Sequence, residues 1–279
     1  LQSGCSLDYM ASRGEYLNGI LLAQFLGYEF LDAAKVVFFD EDGRYDSAKT
    51  IKTMRMQLAR IERAVIPGFY GSMPDGRIKT FSRGGSDITG AIVAQAIDAD
   101  LYENWTDVSG FLVCDPRIVE NPRPIRTITY RELRELSYMG ATVLHAESIF
   151  PVKEAGIPIN IRNTNDPEAE GTMIVPHAGA EPSGDIITGI AGRKGFVVIR
   201  IEKDMMNQEV GFVLKVLQVL KDFNVNFEHL PSGIDTMCVV VSVQEIAGRE
   251  NLLLSALARA VNPDFICMDR GLALVAVVG

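Results

Sequence analysis

The 279-residue sequence predicts an α/β chain: a mainly parallel sheet flanked by helices, followed by a ferredoxin-like βαββαβ region. Two patterns predict it. Through residue 176, short apolar runs alternate with segments of helical spacing, as strands alternate with covering helices. Beyond residue 190 the order becomes strand, helix, two strands, helix, strand. Between them, His177-Ala178-Gly179-Ala180-Glu181-Pro182-Ser183-Gly184 is short, polar and rich in Gly and Pro, so it reads as a linker. The expected division is 1–176, a linker at 177–190, and a second, incomplete region at 191–279.

The elements follow in order. Ser12-Arg13-Gly14-Glu15 reads as a capping box opening a helix, with Leu17, Ile20, Leu21 and Phe25 on its apolar face. Val36 to Phe39 reads as a buried strand, Ser47 to Ala64 as a basic helix, and Ala64 to Phe69 as a strand entering a glycine turn. Pro74-Asp75-Gly76 is a hairpin-type turn before a strand at Arg77 to Phe81. A helix follows, with Ile88, Ala91 and Ile92 inward. Tyr102 to Trp105, Phe111 to Cys114 and Ile157 to Arg162 read as strands. Thr129-Tyr130-Arg131-Glu132 is a second capping box, and Gly140 stops its helix. In the second region, Val210, Val213, Leu214, Leu217 and Leu220 recur at helical spacing. Phe196 to Ile201, Val225 to Leu230, Met237 to Val243 and Phe265 to Met268 read as strands, and Leu252 to Val261 as a helix. Leu272 to Val278 reads as a buried strand starting a further unit. With that end, and Leu1 in place of Met, both termini are expected to be cut.

Composition narrows the function classes. Hydrophobic residues make up 47% and charged residues 23%, a globular balance that argues against disorder. No apolar run approaches the roughly 20 residues that span a bilayer, and the first residues lack a signal-peptide pattern. A formal charge of −9 argues against DNA or RNA as the main partner, while leaving room for a nucleotide. Cys5, Cys114, Cys238 and Cys267 form no Cys-x-x-Cys pair, which points to reduced, cytoplasmic thiols without a zinc site. His145, His177 and His229 are too scattered for a metal site, and His145 reads as a satisfied, half-buried side chain.

Three segments can carry chemistry. In Phe81-Ser82-Arg83-Gly84-Gly85-Ser86-Asp87 a strand feeds two glycines and then a helix N-terminus, where backbone N–H groups and the helix dipole attract anions. Arg83 can grip a carboxylate or phosphate through two parallel hydrogen bonds. Ser86 and Asp87 face the same space, or simply cap the helix. In Trp105-Thr106-Asp107-Val108-Ser109-Gly110 and Asp115-Pro116-Arg117, Thr106 and Asp107 follow a strand, where sheet enzymes keep ligand contacts, and Arg117 adds a cation. These acids equally suit a turn and a helix entry. Glu15 completes a capping box, or offers a carboxylate to an ammonium group.

In this order, Ser12-Arg13-Gly14-Glu15, Val65-Ile66-Pro67-Gly68-Phe69, Arg83-Gly84-Gly85-Ser86-Asp87, Trp105-Thr106-Asp107-Val108, Asp115-Pro116-Arg117 and Gly140-Ala141-Thr142-Val143-Leu144-His145 resemble the aspartate kinases of the amino-acid kinase family. The resemblance covers essentially the whole chain. It implies transfer of the γ-phosphoryl group of ATP to the side-chain carboxylate of L-aspartate, giving 4-phospho-L-aspartate, the entry to lysine, threonine and methionine synthesis. By that analogy Glu15 holds the substrate ammonium, Arg83 and Ser86 hold a carboxylate, and Asp87 organises the reacting groups. Thr106 and Asp107 line the nucleotide site, and Arg117 approaches the phosphates. Mg2+ travels with the ATP.

The second region resembles ACT regulatory domains, which implies feedback by lysine or threonine bound between paired ACT units, and hence a homodimer. Met206, Asn226, Phe227 and Glu228 fall where effector contacts lie in lysine-sensitive relatives; alternatively Phe227 is core and the others are surface. Ser232-Gly233-Ile234-Asp235 lacks the Ser-Glu pair of those relatives. The sequence also lacks the family's Lys-Phe-Gly-Gly-Ser/Thr strand. It has Thr142 where many members have lysine, Leu112 where many have tyrosine, and Ala146 where proline is frequent. The 279-residue chain alone is therefore expected not to turn over. Competing readings are a kinase for another acidic amino acid and a non-catalytic amino-acid-sensing module.

Overall fold

A computed structural model describes residues 5–82, 84–140, 149–177 and 186–279. The chain forms two compact units, Leu1–Ala191 with Val277–Gly279, and Gly192–Ala276. Arg83, residues 141–148 with Thr142, His145 and Ala146, and residues 178–185 of the expected linker lie outside the described residues.

The first unit opens with α1 (Leu7–Leu26), which starts earlier than Ser12. Ser6 is its cap, accepting from the Tyr9 N–H at 3.2 Å. Ser12 is buried within the helix, where its hydroxyl donates to the Tyr9 carbonyl at 2.8 Å. The expected inward face is also reversed. Leu17, Leu21 and Phe25 are 58%, 65% and 85% exposed, whereas Ser12, Gly19 and Ala23 are buried. Small inward residues let the helix lie close: a Cβ on Gly19 would stand 3.1 Å from the Phe30 ring and 3.4 Å from Pro67. Distance of approach, not side-chain apolarity, decides which face turns inward.

Next come β1 (Glu29–Phe30), α2 (Ser47–Leu58), β2 (Ala64–Val65), β3 (Tyr70–Ser72), β4 (Ile78–Thr80) and α3 (Gly85–Ala96). β1 and β2 pair in parallel, and β3 and β4 form the hairpin expected around Pro74-Asp75-Gly76. Val36, Val37, Phe39, Met54, Tyr70 and Ile92 build the core beneath them. Val36 to Phe39 joins its neighbours only through isolated bridges, Phe38 to Ser72 and Phe39 to Tyr45.

The unit continues with β5 (Tyr102–Thr106), β6 (Thr127–Thr129), α4 (Tyr130–Tyr138), α5 (Phe150–Ala155), β7 (Ile159–Asn163) and β8 (Thr172–Val175). These strands form one sheet in the order β5-β7-β8-β6. β5–β7 and β6–β8 are parallel, while β7–β8 is antiparallel. The predicted strand at Phe111 to Cys114 is absent; Leu112 makes only an isolated bridge to Pro124. The capping box at α4 is present as read: Glu132 N–H donates to Thr129 Oγ1 at 3.2 Å and Thr129 N–H to Glu132 Oε2 at 2.8 Å.

β9 (Gly189–Glu202) begins in the first unit and runs on through the second, which adds α6 (Phe212–Asp222), β10 (Thr236–Ser242), α7 (Val243–Ile246), α8 (Glu250–Val261) and β11 (Phe265–Val278). The strand order is β10-β9-β11. Val225 to Leu230 is not a regular strand. It edges β10 through Glu228 N–H to Val240 O at 2.8 Å and Val240 N–H to His229 O at 2.9 Å. With that edge the order is that of a βαββαβ ferredoxin-like sheet. Val197, Ile199, Ile201, Val239 and Val241 meet α6 and α8 in the core. The phase of α6 differs from the reading: Phe212, Val216 and Leu220 are buried, and Val213 and Leu214 are exposed. Leu272 to Val278 is the second half of β11, with Val275 and Val277 exposed.

Glu132 joins α4 to the start of β9, since its Oε1 accepts from the Thr188 hydroxyl at 2.5 Å. Burial raises the Glu132 carboxyl, but the hydrogen bonds from Thr129 and Thr188 outweigh it and leave the group below its usual value. A depressed folded value means stability that is present above the unfolded value, about 4.3, and lost as pH falls through the folded one. Glu132→Gln is expected to lower urea stability at pH 7 and to approach the parent as pH falls below the folded value; a deficit that does not change with pH contradicts this.

Candidate active site

The site is organised by Phe69. This residue has φ 63°, left-handed backbone that costs a bulky side chain on the order of 1–3 kcal/mol. Three contacts hold it there. Its N–H donates to Thr89 Oγ1 at 3.0 Å, and that hydroxyl donates to the Gly85 carbonyl at 2.8 Å. Its carbonyl accepts from Phe81 N–H at 2.9 Å. Its Cβ stands 2.5 Å from where a Cβ on Gly85 would lie, so only glycine fits at 85. The neighbouring Gly68 packs under Ser86, whose Cα is 3.1 Å from the position of an added Cβ. The turn after β2 thereby fixes the start of α3.

Gly84, with φ 56°, is the α3 N-cap and supplies no capping side chain. The first-turn N–H groups therefore remain available to an anion. Ser86 is exposed at this end. Asp87 is half-buried and does not act as the cap: its carboxylate accepts from Asn104 Nδ2 at 2.9 Å, and its carbonyl accepts from the Tyr102 hydroxyl at 3.3 Å.

Glu15 approaches from α1. It shares a helical stripe with Asp8, Ser12 and Gly19, the face that meets β4 and Pro67. Asp8 accepts from the Thr80 hydroxyl at 2.7 Å on that face, and Gly19 touches Pro67. Glu15 is nonetheless exposed.

On the other side, β5 ends at Thr106, its carboxyl end, beside the end of the parallel β7. The Thr106 hydroxyl donates to Asp107 Oδ1 at 3.2 Å, and the Thr106 carbonyl accepts from the Thr164 N–H and hydroxyl. A groove of about 450 Å³ runs along α3 from Gly68 and Ser86 to Tyr102 and Glu103. A larger depression of about 580 Å³, by Lys52, Arg55 and Gln95, lies toward the far end of α3 and shares none of these residues.

Thus Ser86 sits over Gly68, and Asn104 ties the neighbouring Asp87 to the strand carrying Thr106. Arg117 is engaged elsewhere. Its guanidinium meets the Asp115 carboxylate at 3.0 and 2.7 Å, and those hydrogen bonds hold the Asp115 carboxyl below the usual range. In the second unit, Met206 is buried in the core, Glu228 pairs with Arg193 at 2.7 Å, and Asn226 and Phe227 are exposed. Asn104 and Thr89 were not singled out from the sequence. A polar side chain inside an apolar strand or helix pattern was the available signal.

The chain belongs to the amino acid kinase family, whose model matches residues 2–163. Among individual proteins it is similar to aspartokinase 3 of Bacillus subtilis, at 38% identity over 98% of this chain and 62% of the relative. It is also similar to the crystal structure of Clostridium acetobutylicum aspartate kinase, with TM-score 0.91 and 54% identity over 99% of this chain and 63% of that one. Escherichia coli aspartokinase III, solved with lysine and aspartate in a T-state, gives TM-score 0.70 and 27% identity over 97% of this chain and 62% of that one. The same enzyme with aspartate and ADP in an R-state gives 0.68 and 26% over 97% and 63%. The fold class is that of these structures, and the chain spans 62–63% of the length of these relatives. Among the described residues no helix is long and apolar enough to cross a membrane.

Thr89→Val keeps the side-chain shape and removes the bond that satisfies Phe69 N–H. It is expected to lower unfolding free energy by about 1–3 kcal/mol, measured by urea denaturation; an unchanged midpoint would show that the Phe69 turn does not depend on Thr89.

Proposed function

We propose that the first unit forms the L-aspartate-binding part and a share of the nucleotide site of an aspartate kinase, and that the second unit is its ACT-type regulatory region. The reaction is transfer of the ATP γ-phosphoryl group to the side-chain carboxylate of L-aspartate, giving 4-phospho-L-aspartate. The observation that carries the reading is the uncapped α3 N-terminus, with Ser86 seated over Gly68 and Asp87 tied to β5. It is supported by the E. coli enzyme solved with aspartate and ADP.

In this reading two anions must meet, so positioning and charge neutralisation do the work. Glu15 takes the substrate ammonium. The α3 N–H groups, Ser86 and Arg83 take a substrate carboxylate. Asp87 orients the reacting groups, and Thr106 and Asp107 face the nucleotide. Arg117 reaches phosphate only by leaving Asp115. Among the described residues no three His, Cys, Asp or Glu side chains gather to hold a metal. Mg2+ is carried mainly by the nucleotide phosphates. Regulation by an amino acid such as lysine, through Met206, Asn226, Phe227 and Glu228 of paired copies, belongs to the same reading. The exposed Asn226 and Phe227 are the residues that such a ligand reaches first, while the buried Met206 acts from behind. A second reading is a non-catalytic amino-acid-sensing module, in which the exposed Asn226 and Phe227 meet an amino acid and the first unit binds no substrate.

Calorimetry of the 279-residue chain with L-aspartate, ADP and L-lysine separates the two. L-aspartate binding that Glu15→Gln weakens roughly tenfold or more, without hydroxylamine-trappable acyl phosphate when ATP is added, is expected. L-lysine binding with no L-aspartate binding would favour the sensing module.

A further inference from the structure

We propose that Asn104 is a positioning residue of this site, holding the Asp87 carboxylate from β5; the proposal rests on the reading of Asp87 as a site residue. Asn104 is only 9% exposed. A residue on the inward face of a half-buried strand is ordinarily apolar, and its neighbour across the register is Ile161. A buried primary amide is costly unless its donors are used. Here one Nδ2 bond goes to Asp87 Oδ1 at 2.9 Å and the other to the Tyr102 hydroxyl at 2.9 Å.

Tyr102 then closes a ring. Its hydroxyl donates to the Asp87 main-chain carbonyl at 3.3 Å, so Asp87 is gripped at both side chain and backbone. Burial, with a lesser push from the Asp87 charge and against the Asn104 hydrogen bond, raises the Tyr102 hydroxyl to about 12. It keeps its proton at neutral pH and remains a donor. Gly90 gives the ring its space: an added Cβ there would stand 2.5 Å from the Tyr102 hydroxyl oxygen.

The consequence reaches beyond packing. An aspartate in the first turn at an exposed helix end has several open rotamers. Donors from β5 select one, and a group held by its supporting shell delivers its charge at a fixed place. Two residues further along the same strand stands Thr106, with Asp107 after it. One strand therefore sets the orientation of the substrate-side acid and presents the nucleotide-side pair.

The test uses the 279-residue chain with Asn104→Ala and Tyr102→Phe. Three quantities are read: the carboxyl 13C resonance of Asp87, assigned through Asp87→Asn; L-aspartate affinity by calorimetry; and the thermal midpoint. Asn104→Ala is expected to move the Asp87 resonance and to weaken L-aspartate binding roughly tenfold. Tyr102→Phe, which leaves the Asn104–Asp87 bond, is expected to move both less. An unmoved resonance, or affinity losses that merely track the thermal midpoint in both variants, would overturn the proposal. If Asn104→Ala does not fold, Asn104→Leu, which keeps the approximate shape and removes the donors without adding a charge, is read the same way. If the parent chain itself does not bind L-aspartate, the substrate reading fails, while the resonance still decides what Asn104 does.

Discussion

The candidate site depends on one strained residue, Phe69, held in place by Thr89, Phe81 and Gly85. Phe69 occupies left-handed backbone, and its position is fixed by Thr89 from α3, by Phe81 from the strand leading to the glycine pair, and by the absence of a side chain at Gly85. Strain of this kind persists only where the surroundings over-determine it. The return is geometric. The turn after β2, the end of β4 and the start of α3 are locked to one another, and the α3 N-terminus opens at their junction without a capping side chain.

Two further elements are brought to that junction by close approach. α1 lies against Pro67 and Phe30 through Gly19, with Asp8 on the same stripe bonded to Thr80. β5 lies against it through Tyr102 and Asn104, with Gly90 making room. Small residues at the contacts bring charged groups near one another without burying them unpaired. The result is a helix N-terminus without a capping side chain beside an acid tethered to β5.

The sequence was most legible where local chemistry decides structure. The Thr129 to Glu132 capping box, the Pro74-Asp75-Gly76 turn and the strand at Tyr102 need only neighbouring residues, and each is present. The glycine pair before Ser86 and Asp87 was legible as a strand-to-helix junction. Ser12 and Glu15 were misread as a capping box because the pattern fits, while the true cap, Ser6, lies six residues earlier. The inward face of α1 was misread because apolarity was weighed and distance of approach was not. The roles of Thr89 and Asn104 were not legible, since each follows from a partner far along the chain. Nor does sequence reveal that Arg117 pairs with Asp115, only two residues away, across a turn.

The most direct test of the account is a crystal structure of the 279-residue chain grown with L-aspartate. The account predicts the amino acid at the α3 N-terminus, with its ammonium against Glu15, a carboxylate on the Gly85–Ser86 N–H groups, and the Phe69 turn unchanged. L-Aspartate seated only in the second unit, or density that leaves Glu15 and Ser86 untouched, would contradict it.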